Sequence, residues 1–150
     1  MLNTTEELTI TVGEKQLGAS WNLPEGAEGI IVFAHGSGSS RFSPRNQYVA
    51  KVLQNARLAT LLMDLLEESE ADDRDKVFDI DLLAQRVTGV LDWLSERQEL
   101  PIGLFGASTG AAAALVAAAE RPNVAEAAAN EAGEFVWQLP EARRNGKAHP

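Results

Sequence analysis

Ser108 stands in Gly106-Ala107-Ser108-Thr109-Gly110, a G-x-S-x-G pattern. A serine hydroxyl becomes a nucleophile towards acyl carbonyls when a sharp turn exposes it, a base takes its proton, and donors wait for the oxyanion. Such a turn needs small neighbours, and here they are Gly106 and Gly110. A short apolar run, Ile102 to Phe105, leads into the motif, and an alanine-rich helix former, Ala111 to Ala119, leads out. That context predicts a strand-to-helix elbow, with the first helical amides aimed at charge developing near Ser108. The plainer reading is a glycine-rich turn carrying an ordinary exposed serine.

Oxyanion donors can be sought in His35-Gly36-Ser37-Gly38-Ser39-Ser40, which follows the apolar run Ile30 to Ala34. As a phosphate cradle this loop lacks the lysine and spacing of a Walker loop, and as a dinucleotide site it lacks G-x-G-x-x-G. As half of an oxyanion hole it fits, with the backbone N–H of Ser37 as one donor and that of Thr109 as the other. His35 reads first as a ring that ties the loop down, and second as a direct participant. The proton acceptor has two candidates, His35 and His149, the latter in a polar tail beside Pro150. Asp64 closes the apolar run Leu58 to Met63 and could orient a neighbour, although a structural role is the simpler expectation. No triad acid is assignable.

The elements that must position these groups follow from pattern. Leu8 to Val12 and Leu17 to Leu23 alternate apolar and polar side chains on either side of a turn at Gly13-Glu14-Lys15-Gln16, predicting an antiparallel hairpin at a sheet edge. Ile30–Ala34, Leu58–Met63 and Ile102–Phe105 are continuous apolar runs, as in parallel strands covered on both faces. Pro44 to Asn55, Phe78 to Arg97 and Thr109 to Arg121 have helical spacing, with Tyr48, Val49, Val52 and Leu53 expected on one face of the first. Trp93 is expected in the core or at its rim. The run from Asp64 to Asp81 holds nine acidic residues against Arg74 and Lys76, and reads mainly as solvated loop and helix start; as a metal site it has no recognisable spacing. Asn123 to Glu134 has helix-forming composition.

The chain of 150 residues fits one domain, and 45% hydrophobic residues suffice for a core. A formal net charge of −9 argues against nucleic acid and against an anionic membrane surface. Cysteine is absent and histidines number two, so neither a disulfide framework nor a thiolate or histidine-rich metal centre is expected. The amino-terminal stretch has no basic, long apolar leader pattern, and a cytoplasmic setting is expected.

VFAHGSGSS after one strand, LLMDLLEESE after the next, FDIDLLAQRV and LPIGLFGASTGAAAALVAAAERP together resemble the α/β-hydrolase superfamily, in particular its dienelactone-hydrolase-like members. The resemblance covers roughly residues 7 to 122. It implies a three-layer α/β/α sandwich with a mostly parallel sheet, and a serine esterase or lactonase that needs no cofactor and no metal. Ser108 would be the nucleophile, with Ser37 and Thr109 as oxyanion donors. Members of the family continue with further strands carrying the acid and the histidine, which cannot be located here, so the chain reads as a C-terminally truncated or altered member. The alternative is a catalytically impaired hydrolase-fold module that binds a small anion or acyl compound without turnover, or serves as a scaffold. A strand Ile102–Phe105 left open on one side needs covering, by Phe135 to Leu139 or by a second copy, and a homodimer is the expectation.

Overall fold

In the computed structural model, which describes residues 5–35, 40–106, 109–121 and 125–126, the chain forms a six-stranded mixed sheet. Strands β1 (Thr5–Val12) and β2 (Lys15–Asn22) make the expected antiparallel hairpin. Val12 pairs with Lys15 across a two-residue loop whose first residue, Gly13, has φ of +61°, the left-handed conformation that a tight hairpin needs at that place. Then come β3 (Gly29–Ala34), α1 (Pro44–Asn55), β4 (Leu58–Met63), α2 (Arg74–Val77), α3 (Ile80–Ser95), β5 (Ile102–Gly106), α4 (Thr109–Glu120) and β6 (Ala125–Glu126). The spatial order is β1-β2-β4-β3-β5-β6, with β3, β4, β5 and β6 mutually parallel and β2 antiparallel to β4.

Alternation along the buried strands divides them between two faces. Ile30, Val32 and Ala34 of β3, Ala59, Leu61 and Met63 of β4, and Ile102 and Leu104 of β5 join Ile10 and Leu17 of the hairpin under α3 and α4. Ile31, Phe33, Leu58 and Leu62 pack with Ala50 of α1 on the opposite face. This is the expected three-layer sandwich. The α3 helix buries Leu83, Val87, Val90, Leu91 and Leu94, while α4 presents Ala111, Ala113, Ala114 and Ala117, small side chains that let it lie close to α3 and the sheet. Trp93 lies at the rim, partly buried against this core, with the Arg97 guanidinium 4.2 Å above its ring.

Four expectations are corrected. The helix expected from Phe78 starts at Ile80 instead, because Asp79 accepts a hydrogen bond from the Leu82 N–H at 3.1 Å and caps α3 there, leaving Phe78 exposed between α2 and α3. Only half of the α1 stripe faces inward: Val49 and Leu53 pack on the second cluster, while Tyr48 and Val52 are exposed. The acidic run is not wholly solvated, since Glu70 is 3% exposed. The stretch read as helix-forming contains β6, where Ala125 and Glu126 pair with Ile102 and Gly103, so the outer edge of β5 is covered over those two residues. Parallel pairing is a backbone interaction, and an apolar edge strand recruits a neighbour whatever its helix propensity. Phe135 to Leu139 lie outside the described residues. Among the described residues no helix is long and apolar enough to cross a membrane.

Candidate active site

The chain leaves β3 for α1 on one face of the sheet and leaves β5 for α4 on the other. The loops after two adjacent parallel strands therefore diverge, and a crevice opens at their carboxyl ends, the usual place for a ligand in an open α/β sheet. A cavity of about 590 Å³ lies there, within the size range of small-molecule sites. Its walls come from the loop after β3 (His35 and Ser40 to Phe42), the segment after β4 (Asp64 to Glu68) and the start of α4 (Thr109), with Val77 and Leu83 contributing apolar surface.

Thr109 opens α4 directly after β5, so it stands at the partial positive end of a twelve-residue helix. The seat is tight. A Cβ built on Gly110 would lie 2.0 Å from the carbonyl oxygen of Ala34 and 2.5 Å from that of His35, so the second glycine of G-x-S-x-G is what lets the helix start rest against the end of β3. Of the residues expected to act, Thr109 is on the cavity wall, whereas Ser108, Ser37 and His149 lie outside the described residues. His35 shares the cavity with Thr109, and its Nε2 is 3.8 Å from Oδ1 of Asp64.

Asp64 has the structural role expected of it, and it works on the β3 loop. Its Oδ1 accepts the backbone N–H of Arg41 at 2.8 Å, its Oδ2 pairs with Nη1 of Arg41, and its own N–H donates to Gly18 at 2.9 Å. Arg41 Nε donates in turn to Glu7 at 3.2 Å. One carboxylate thus ties the β3 loop to the end of β4 and to the hairpin. Sequence reading did not find Arg41, whose pairing depends on strands brought together only by folding.

Behind the cavity, Glu70 and Arg86 form a buried bidentate pair with both N–H···O distances 2.8 Å, and Arg86 also donates to the Leu65 carbonyl at 3.1 Å. Glu70 Oε1 accepts the Glu67 N–H at 2.9 Å, and Lys15 and Lys76 each approach Oε2 to 3.7 Å. The Arg86 hydrogen bonds hold the Glu70 carboxyl at about 2, against an ordinary 4.5, despite the opposing effect of burial. The same partner pushes the Arg86 guanidinium up. This pair fastens the cavity-forming segment after β4 to α3. Among the described residues no group of three or more His, Cys, Asp or Glu is placed to hold a metal ion.

Comparison with solved structures gives the same fold. A dienelactone hydrolase from Anabaena variabilis superposes with a TM-score of 0.79 at 52% identity, covering 83% of this chain and 61% of that one. Over this span the chain is similar to dienelactone hydrolase, and its fold is that of the α/β-hydrolases. An esterase from Pyrococcus furiosus has the same fold at a TM-score of 0.67 and 20% identity, covering 81% of this chain and 49% of that one. A protein of Mycobacterium tuberculosis, named provisionally as a phosphoribosyl transferase, is 54% identical over 123 residues, which are 79% of this chain and 28% of that protein. No family model matches the chain. The hydrolase-fold chain thus spans about three fifths of the Anabaena structure and just over a quarter of the mycobacterial protein.

Proposed function

We propose that the chain is a serine hydrolase of small esters or lactones, acting without a cofactor. The observation that carries the reading is the seat of α4: Gly110 lies against the Ala34 carbonyl and Thr109 is on the wall of the cavity at the strand ends, which is where a G-x-S-x-G elbow would need the helix to start. Ser108 Oγ attacks the acyl carbonyl carbon as its proton passes to a histidine, for which His149 is the candidate. The carbonyl electrons move to oxygen, where the N–H groups of Ser37 and Thr109 stabilise the charge. Collapse expels the alkoxide, which takes up the proton, and water repeats the sequence on the acyl-enzyme.

The test is fluorophosphonate labelling with short p-nitrophenyl ester kinetics. Stoichiometric labelling of Ser108, with turnover abolished in Ser108→Ala, is the expected result. Unchanged turnover in that variant refutes the nucleophile, and His149→Ala with full activity dismisses His149 as base. A homodimer in the cytoplasm completes the proposal, on the argument that an apolar strand at a sheet edge templates pairing with a second copy. Sedimentation equilibrium at micromolar concentration should give twice the chain mass, and a monomer refutes it.

The mycobacterial relative's name brings a second reading, phosphoribosyl transfer, supported by the 54% identity. A phosphoribosyl donor presents phosphate and pyrophosphate, which call for helix amides and free cations. Besides the helix start at Thr109, the described residues of the cavity present three carboxylates, Asp64, Glu67 and Glu68, and one guanidinium already engaged by two carboxylates. The hydrolase reading is the better supported.

A further inference from the structure

Resting on the hydrolase reading, we propose that this cavity selects substrates by charge: it takes esters whose acyl chain is uncharged or cationic and turns away those whose chain ends in a carboxylate. Among the described residues Arg41 supplies the only guanidinium of the lining, and its charge is already offset by two carboxylates, Nη1 pairing with Asp64 and Nε with Glu7. It therefore adds little net positive charge with which to anchor an anionic substrate. Facing it are Asp64, Glu67 and Glu68, so carboxylates outnumber cations on the wall even if the His35 imidazole carries a proton.

The carboxylates differ in their engagement. Glu67 accepts the Gln16 N–H at 2.8 Å and lies 3.6 Å from Lys15, and Asp64 is taken by Arg41. Glu68 stands exposed on the cavity wall, and its carboxylate pairs with no described residue. The cationic groups nearest the segment, Lys15, Lys76 and Arg86, all face Glu70. The apolar part of the lining, with Leu65, Leu66, Val77, Leu83 and Phe42, suits an aliphatic or aryl chain. Cavity walls of low dielectric concentrate such a field, and the whole chain at −9 reinforces its sign.

A substrate carboxylate held about 8 Å from one such charge, at an effective dielectric near 40, loses roughly fivefold in occupancy. The test compares kcat/KM for p-nitrophenyl hexanoate, the p-nitrophenyl monoester of adipic acid and p-nitrophenyl 6-trimethylammoniohexanoate, each divided by its hydroxide-catalysed rate. At low ionic strength the adipate monoester should fall at least about fivefold below the hexanoate, while the cationic ester matches or exceeds it. The gap should narrow in about 0.5 M salt, and Glu68→Lys should shift the anion-to-neutral ratio upward several-fold. An adipate ester handled as well as the hexanoate, or a ratio indifferent to Glu68→Lys, overturns the proposal. Failure to cleave any of the three sinks the hydrolase reading separately. In that case calorimetric binding of the matching p-nitroanilides decides the charge selection: weaker binding of the anionic anilide sustains it, while equal binding, or none by all three, overturns it.

Discussion

Replacing Gly110 by alanine tests the feature on which the site depends. The new Cβ would sit 2.0 Å from the Ala34 oxygen, 2.5 Å from the His35 oxygen and 2.7 Å from the Ala34 carbonyl carbon. A carbon-to-oxygen contact wants roughly 3.3 Å, so the helix start must retreat by about 1.3 Å. The obstructing atoms cannot swing aside, because Ala34 is paired with Met63 on one side and Gly106 on the other. Forced overpacking of this kind costs about 1–3 kcal/mol. Alanine's better helix propensity returns about 1 kcal/mol, leaving a net loss of up to about 2 kcal/mol. At a urea m-value of about 2 kcal/mol/M, the unfolding midpoint should drop by up to roughly 1 M. The larger effect is on chemistry: an oxyanion donor and nucleophile displaced by about 1 Å should lose about a hundredfold in rate. Chemical unfolding by circular dichroism, and the second-order rate of fluorophosphonate labelling, read the two effects separately. A variant with the wild-type midpoint and labelling rate would mean that α4 is not seated on the end of β3, and the elbow argument would fall.

Glu70→Gln should destabilise by about 3 kcal/mol, since it leaves a buried guanidinium facing a neutral partner. Because the carboxyl is depressed from 4.5 to about 2, its contribution is fully present above pH 4.5 and fades as pH falls through 2. The stability gap between variant and wild type should therefore close over that interval in denaturant titrations, and a gap constant with pH would refute the assignment. Asp64→Ala removes the acceptor of the Arg41 N–H, so exchange of that amide should accelerate at least about tenfold, while amides in α3 keep their protection. An Arg41 amide that exchanges as before would show that the β3 loop is held by other contacts.

The sequence by itself determined the layer architecture. Period-two alternation marked the hairpin, unbroken apolar runs marked the strands covered twice, and Pro44, Asn55, Leu58 and Met63 fell where pattern placed the ends of α1 and β4. These are local signals, encoded by which side chains can face water. The strand ending at Gly106 and the helix opening at Thr109 were legible for the same reason, an apolar run before the glycine and alanines after it. Tertiary structure decided what depends on distance along the chain. Glu70 is one carboxylate among nine in its run, and nothing near it in sequence separates it from its solvated neighbours; only α3 laying Arg86 beside it, sixteen residues on, takes it out of water. Asp64 and Arg41 become partners because β4 lies beside β3, and that adjacency also offsets the charge of the one guanidinium that the described residues give the cavity. The strand at Ala125 was invisible because backbone groups, identical in every residue, make its pairing. Side-chain pattern fixes which surfaces must be buried, whereas the pairing of charges and edges waits until burial has chosen their neighbours.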